Sequence, residues 1–204
     1  MNKTAELVKL WAEYETHYPE AGIDDFCHYF LIHEREKHHA INFSDSPMPP
    51  NKSSIVIKML GRIVKLHSTY ALIALKECGL SSFDEFLYLS SILNDTNPKK
   101  TVVIYANFNE LSSGLLIIDR LKNKELVYEQ EDNEDKRSKR LTLTAKGQAV
   151  LLICYQKIRL INDMFFKDMP EDDMQLCIQM LAPIEAKFAS KWLVDKGKSL
   201  DLLV

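Results

Sequence analysis

No apolar run in the 204-residue sequence is long enough to span a membrane. The first residues, MNKTAELVKLWAEYE, are amphipathic and acidic, without the apolar core or cleavage site of a signal peptide. Cysteine is sparse: Cys27, Cys78, Cys154 and Cys177 stand far apart and no two form a CxxC pair. That spacing argues against a zinc ribbon or a disulfide framework, and a reducing cytoplasm is the simplest location. No glycine-rich phosphate loop is present, no serine or cysteine has a triad context, and no paired catalytic carboxylates stand out. Nothing therefore supports an enzyme, a metal site or a cofactor. Internal repeats and low-complexity tracts are missing too. The composition, 46% hydrophobic and 27% charged, is ordinary for a globular chain. The length suits one large domain or one domain with an extension.

The net charge of −3 also lacks the positive balance that advertises nucleic-acid binding. An average hides local patches, however. Lys136, Arg137, Lys139, Arg140 and Lys146 follow one another with no acid among them, and Arg120, Lys122 and Lys124 stand just upstream. A solvated hairpin tip is the plain reading of such a run. Its flanks favour another. Leu115, Ile118 and Leu121 recur at helical spacing, then Leu126 to Glu131 reads as a strand. Asp132 to Ser138 makes a charged tip, Lys139 to Thr144 a second strand, and Ala145 opens another helix. A helix followed by a two-stranded ribbon is the layout of a winged helix, in which the helix enters a groove and the ribbon tip reaches the neighbouring backbone.

The segment IIDRLKNKELV, the tip DNEDKR and the following LTLTAKG resemble the wing and flanking helices of the MarR family of bacterial transcription regulators. The likeness reaches more loosely from Ser54 to Trp192. It implies a mainly α fold with a small β-wing: a winged helix-turn-helix at about 82–144 and long dimerisation helices at about 55–78 and 145–192. Residues 51–204 would form the MarR-type domain and residues 1–50 a helical extension outside it. The implied partners are double-stranded DNA, a second copy of the chain and a small-molecule effector.

Upstream, Thr4 to Tyr18 and Ile23 to His39 read as helices separated by Pro19 and Gly22. Three prolines and several serines make Ser44 to Ser54 a linker or an ordered loop. Ile55 to Glu77 is a long helix with Met59, Leu60, Ile63, Leu66, Tyr70 and Ile73 as its apolar stripe, stopped by Gly79. Ser82 and Glu85 form a capping-box pattern for the next helix. The VVIYA segment favours a strand by local propensity, but its resemblance to the first helix of a helix-turn-helix makes it a helix. Ser112 or Ser113 then caps the reading helix. After the wing, Ala145 to Phe166 and a last helix opening at Pro170 carry broad apolar surfaces, and Pro183 is expected to kink or split the latter. Such stripes need a partner surface. A second copy supplies one; the N-terminal extension folding back is the alternative.

The residues expected to meet DNA are Ser112, Ser113, Leu116 and Arg120 on the helix, and Lys136, Arg137, Lys139 and Arg140 on the wing. Leu116 and Ile117 are placed on the outer side of the helix, where relatives carry polar or basic residues; apolar groups there could contact thymine methyls or belong to the core. Gly114 would let the helix approach the DNA backbone closely. Arg137 matches the family's wing arginine, which implies insertion into a minor groove, and Asp135 its bracing aspartate. Glu125 stands where relatives usually have the glycine that ends the helix, so that turn is expected to differ. Trp11, Tyr14, Phe30, Tyr70 and Tyr88 are aromatic candidates for an effector pocket, with core packing as the alternative. His28, His33, Glu34, His38 and His39 cluster without a zincin spacing, and a metal role is discounted. The cysteines have apolar neighbours that favour inert packing, although Cys27 and Cys78 keep an oxidant-sensing variant open. A winged-helix module that docks a protein instead of DNA is the second functional class.

Overall fold

The computed structural model describes residues 2–38, 51–132 and 138–203, and of 35–38 the backbone alone. Two compact units are present, 1–56 and 57–204. In the first, α1 (Lys3–His17) starts where the Asn2 side chain accepts from the Thr4 N–H at 3.0 Å, and α2 (Ile23–His38) follows a short turn. Aromatic rings hold the pair together. Phe26 meets Trp11 at 5.3 Å and Tyr14 at 5.5 Å, and Tyr29 lies 4.8 Å from Tyr14. Burial, then the nearby Asp25 carboxylate, raises the Tyr14 hydroxyl above its ordinary pKa.

α3 (Lys52–Glu77) carries the chain into the second unit, so Lys52 to Ser54 of the expected loop are helical. Gly79, at φ +81°, ends it, and the Leu80 N–H returns to the Leu75 carbonyl at 3.0 Å. This is the left-handed close that glycine makes without steric cost. α4 (Phe83–Asn94) begins with the Ser82 hydroxyl accepting from the Glu85 N–H at 3.2 Å. Glu85 accepts in turn from the Ser81 N–H at 2.8 Å, one residue before the position a capping box uses.

α5 (Lys100–Ala106) is the VVIYA segment, a helix despite its strand-like composition. Burying Val103 and Ile104 in the core outweighs a weak local preference. α6 (Leu111–Asn123) follows, then β1 (Val127–Glu131) and β2 (Lys139–Leu143), paired antiparallel with Glu129 opposite Leu141. α7 (Ala145–Phe166) and α8 (Glu171–Asp195) complete the chain with a short 3-10 turn at Leu200–Leu202. α8 runs from Glu171 to Asp195 with Pro183 inside it, so of the expected kink or split the split does not occur.

The core sits inside the helix-turn-helix and its roof. Leu75, Leu80, Tyr88, Leu89, Ile104, Ile118, Leu121, Leu141 and Leu151 are wholly or almost wholly buried, each worth roughly 1.5–3 kcal/mol relative to exposure. α8 contributes no buried residue, and α3 and α7 leave Ile57, Val64, Ile73, Leu152 and Leu160 in solvent. Among the described residues no single helix is long and apolar enough to cross a membrane.

Candidate nucleic-acid interface

α5 and α6 are bent 112° from each other across a four-residue turn. Side chains fix that turn from within. The Asn107 amide donates to Ser91 Oγ at 2.9 Å and to the Val103 carbonyl at 2.8 Å, and the Asn109 amide donates to the Tyr88 hydroxyl at 3.1 Å. Phe108 takes a left-handed φ of +54°. Gly114 faces inward: a Cβ there would stand 2.6 Å from Ile104 and 2.7 Å from the Tyr88 hydroxyl. Its small size serves close packing of α6 on α4 and α5, which replaces the expected approach to a DNA backbone.

The cap of α6 lies two residues before Ser112 and three before Ser113, the expected caps. Glu110 is the N-cap, without a side-chain cap bond, and Ser112 and Ser113 lie exposed inside the first turn. Ile117 is buried, not outward, because α4 and α5 together cover a wider arc than the Leu115–Ile118–Leu121 spacing marks. Leu115 is half-buried. The outer stripe is Ser112, Ser113, Leu116, Asp119, Arg120 and Asn123, all exposed. Sequence reasoning missed Asp119 and Asn123, although Asn123 stands seven residues beyond Leu116, two turns along one helical face.

The wing is anchored beside β2 and at its root. The Leu141 N–H donates to the Pro98 carbonyl at 2.9 Å, and Lys99 pairs with Arg140 in an isolated antiparallel bridge. At its root Glu125 adopts φ +59°, and the Leu126 N–H reaches the Leu121 carbonyl at 3.0 Å. The turn expected to differ without its glycine is thus made in the left-handed form, with glutamate bearing the strain. The tip residues Asp135, Lys136 and Arg137 lie outside the described residues.

Three acids organise the cations. Glu85, wholly buried, accepts from Arg120 Nε at 3.2 Å and Lys124 Nζ at 2.6 Å. Asp132, also buried, accepts from Arg140 Nε at 2.9 Å and lies 3.4 Å from Lys99 Nζ. Glu129 accepts from Lys122 at 2.8 Å and Lys100 at 3.2 Å. Burial by itself raises the Glu129 carboxyl, but hydrogen bonds and charge from Lys122 and Lys100 prevail and hold it below its ordinary value. Glu85 and Asp132 each gather two cations and keep a net positive charge beside α6 and the wing, whereas Lys122 also pairs with Asp119 at 3.8 Å, which leaves the Glu129 cluster balanced. Arg140 also donates to the Asn97 carbonyl at 2.9 Å, which commits it to the wing's base. Lys139 pairs with Glu131 at 3.0 Å. Arg120 stays half exposed on the outer stripe while Glu85 grips its Nε.

The other candidates fall apart by location. Tyr14 and Phe30 line a cavity of about 550 Å³ between α1 and α2, with Phe26, Tyr29 and His33. Trp11 borders a smaller one with Ile23 and Cys27. Tyr88 is wholly buried in the core of the second unit, its hydroxyl raised above its ordinary pKa by burial. Tyr70 is exposed and meets Phe165 edge-on at 5.7 Å. His33 meets Tyr29 edge-on at 4.1 Å, and no metal-holding group occurs among the described residues. His39 lies outside them. Core packing of all four cysteines does not hold: Cys154 is buried and Cys78 half-buried, but Cys27 and Cys177 are exposed.

The sequence matches no protein-family model and no curated protein. Solved structures do resemble it. The transcriptional regulator SlyA superposes with a TM-score of 0.64 at 20% identity, covering 69% of this chain and 99% of that one. A MarR family regulator from Listeria monocytogenes, complexed with 26mer DNA, gives 0.64 at 18% identity over 74% of this chain and 98% of its own. PcaV from Streptomyces coelicolor, in complex with its natural ligand, gives 0.58 at 15% identity over 67% and 96%. These neighbours are transcriptional regulators, not enzymes. The chain has the winged helix-turn-helix fold of the MarR and SlyA regulators.

Proposed function

We propose that this chain is a DNA-binding transcriptional regulator of the MarR type, a cytoplasmic homodimer that reads a short pseudo-palindrome and responds to a small ligand. The observation that carries the reading is the exposed stripe of α6, flanked by cation clusters whose acids are buried or half-buried. Ser112, Ser113, Arg120 and Asn123 offer hydrogen bonds to base edges or phosphates. Leu116 offers an apolar contact for a thymine methyl. Lys139 and, in sequence, Lys136 and Arg137 extend the charge along the wing. The apolar faces of α3, α7 and α8 support a second copy of the chain. The cavity lined by Tyr14 and Phe30 is the place for an effector that shifts the population of DNA-competent states. The neighbours complexed with DNA and with a natural ligand support both partners.

Fluorescence anisotropy of duplexes from the gene's own upstream region, titrated across a salt series, tests this. Selective binding with a steep salt slope is expected. Weak binding, equal for every duplex, would overturn the reading. A second reading rests on Leu116, a large exposed apolar side chain at the centre of the stripe: the same face docks a protein. The pair Arg137→Glu and Lys139→Glu separates them, abolishing a salt-dependent DNA complex while sparing an apolar dock.

A further inference from the structure

The cavity between α1 and α2 has more aromatic wall than a seam of two helices needs. Leu10, Tyr14 and Tyr18 recur at helical spacing on one side, and Phe26, Tyr29 and Phe30 share a face of α2 on the other. Of these rings only Tyr14 and Phe26 are buried. Tyr18 is 51% and Tyr29 40% exposed, and a volume of about 550 Å³ lies along them. The three tyrosine rings touch: Tyr14 lies 4.9 Å from Tyr18 and 4.8 Å from Tyr29, and Tyr18 lies 6.0 Å from Tyr29. Their planes are inclined by 37° to 57°, so they make one continuous wall.

The charge on the lining has one sign. Glu13 and Glu34 are part of it, with His17 and His33, and among the described residues that line it there is no lysine or arginine. Glu13 also meets Lys9 at 3.7 Å, but both side chains are exposed and Lys9 stands outside the lining, so water screens that pair. The face of an aromatic ring is the negative side of its quadrupole, so the tyrosine wall and the carboxylates favour the same guest. An anion would be repelled by both. We propose that this cavity takes an organic cation, a quaternary or alkylated ammonium, with its charge against the tyrosine faces and toward Glu13 and Glu34, and its apolar arm on Leu10, Phe26 and Phe30.

An organic cation is thus the class of effector for the cavity read above as an effector site, and rests on that reading. Alkylation matters as much as charge. A primary ammonium is strongly hydrated and needs acceptors for its three donors, which ring faces replace poorly. A quaternary ammonium has no N–H to satisfy, and it gains from every ring whose centre it approaches within about 6 Å. The volume suits a small organic molecule. Burial first, then Asp25, raises the Tyr14 hydroxyl above its ordinary pKa, so the innermost ring stays neutral and a second carboxylate on α2 acts on the wall.

The test is calorimetric titration of the full-length protein, without DNA, with benzyltrimethylammonium, with benzoate, and with choline against 3,3-dimethylbutan-1-ol, which has the same shape and no charge. Both cations should bind once per chain, and choline about tenfold or more tighter than the neutral alcohol. Tyr18→Leu and Tyr29→Leu change exposed rings, and circular dichroism should show the helices intact. Each should weaken benzyltrimethylammonium about tenfold, while Tyr18→Phe and Tyr29→Phe, which keep the ring, should bind as the parent does. Glu13→Gln with Glu34→Gln should weaken the cation and leave the alcohol unchanged. Equal binding of choline and the alcohol, tighter binding of benzoate, no binding of benzyltrimethylammonium, or leucine variants that bind like the parent would overturn the proposal. Titration without DNA separates the two readings: a cation bound by a chain that reads no duplex would sink the regulator alone, and a selective DNA complex with no cation bound would sink the cation site alone.

Discussion

Lys196 reaches Glu110 at 2.7 Å, so the residue that ends α8 is paired with the residue that caps α6. The same ammonium lies 5.1 Å from the centre of the Tyr105 ring, and Trp192 meets Phe108 edge-on at 6.2 Å. The far end of the chain thereby braces the turn between α5 and α6. Glu110 is well exposed, so its pair with Lys196 is worth about 0.2–1 kcal/mol. Lys196→Ala also removes the contact with Tyr105 and should cost about 0.5 kcal/mol more than Glu110→Ala. Urea unfolding of the two single variants and the double checks this; equal costs would mean the ring contact contributes nothing.

Gly114→Ala and Gly147→Ala should differ in severity. At Gly114 the new methyl meets side chains, Ile104 and the Tyr88 hydroxyl, which can shift; overpacking of this kind costs about 1–3 kcal/mol. At Gly147 the Cβ would stand 2.0 Å from the Leu126 carbonyl oxygen, a backbone atom. Gly147→Ala should be the more destabilising in thermal melts and should disturb the wing as well.

Glu125→Gly should stabilise. The left-handed φ of +59° strains any residue with a Cβ, and relief is worth about 1 kcal/mol. The lost ion pair with Lys146, at 3.2 Å and exposed, offsets only a little of this. A higher thermal midpoint is the expected result, and a lower one would show that Glu125 contributes through its side chain.

Glu129 gives the fold an acid sensitivity. Its carboxyl titrates below its ordinary value in the folded chain, so it contributes stability above the unfolded value. That contribution is lost as the pH falls from the unfolded value through the lower folded one. Denaturation at neutral and acid pH, repeated on Glu129→Gln, checks the sign: the variant should be less stable at neutral pH and lose less on acidification.

Much of the fold was legible because its signals are local. Ser82 and Glu85 mark a helix start, Gly79 a helix end, and the alternating charged ribbon a wing. Ile117 was misplaced because the arc a helix buries is set by its neighbours, here α4 and α5, and not by its own spacing. Arg140 looked free for a phosphate because its acceptor at Asn97 lies 43 residues away, invisible in any short window.

At the base of the wing, Thr144 joins three elements at once. Its hydroxyl donates to the Glu125 carbonyl at 2.7 Å and accepts from the Gly147 N–H at 2.9 Å, while its N–H donates to the Leu126 carbonyl at 3.0 Å. With Gly147 pressed on Leu126, this joint has no slack. The end of α6, the ribbon and the start of α7 are therefore tied together at one residue, so a change at Thr144 is felt by all three.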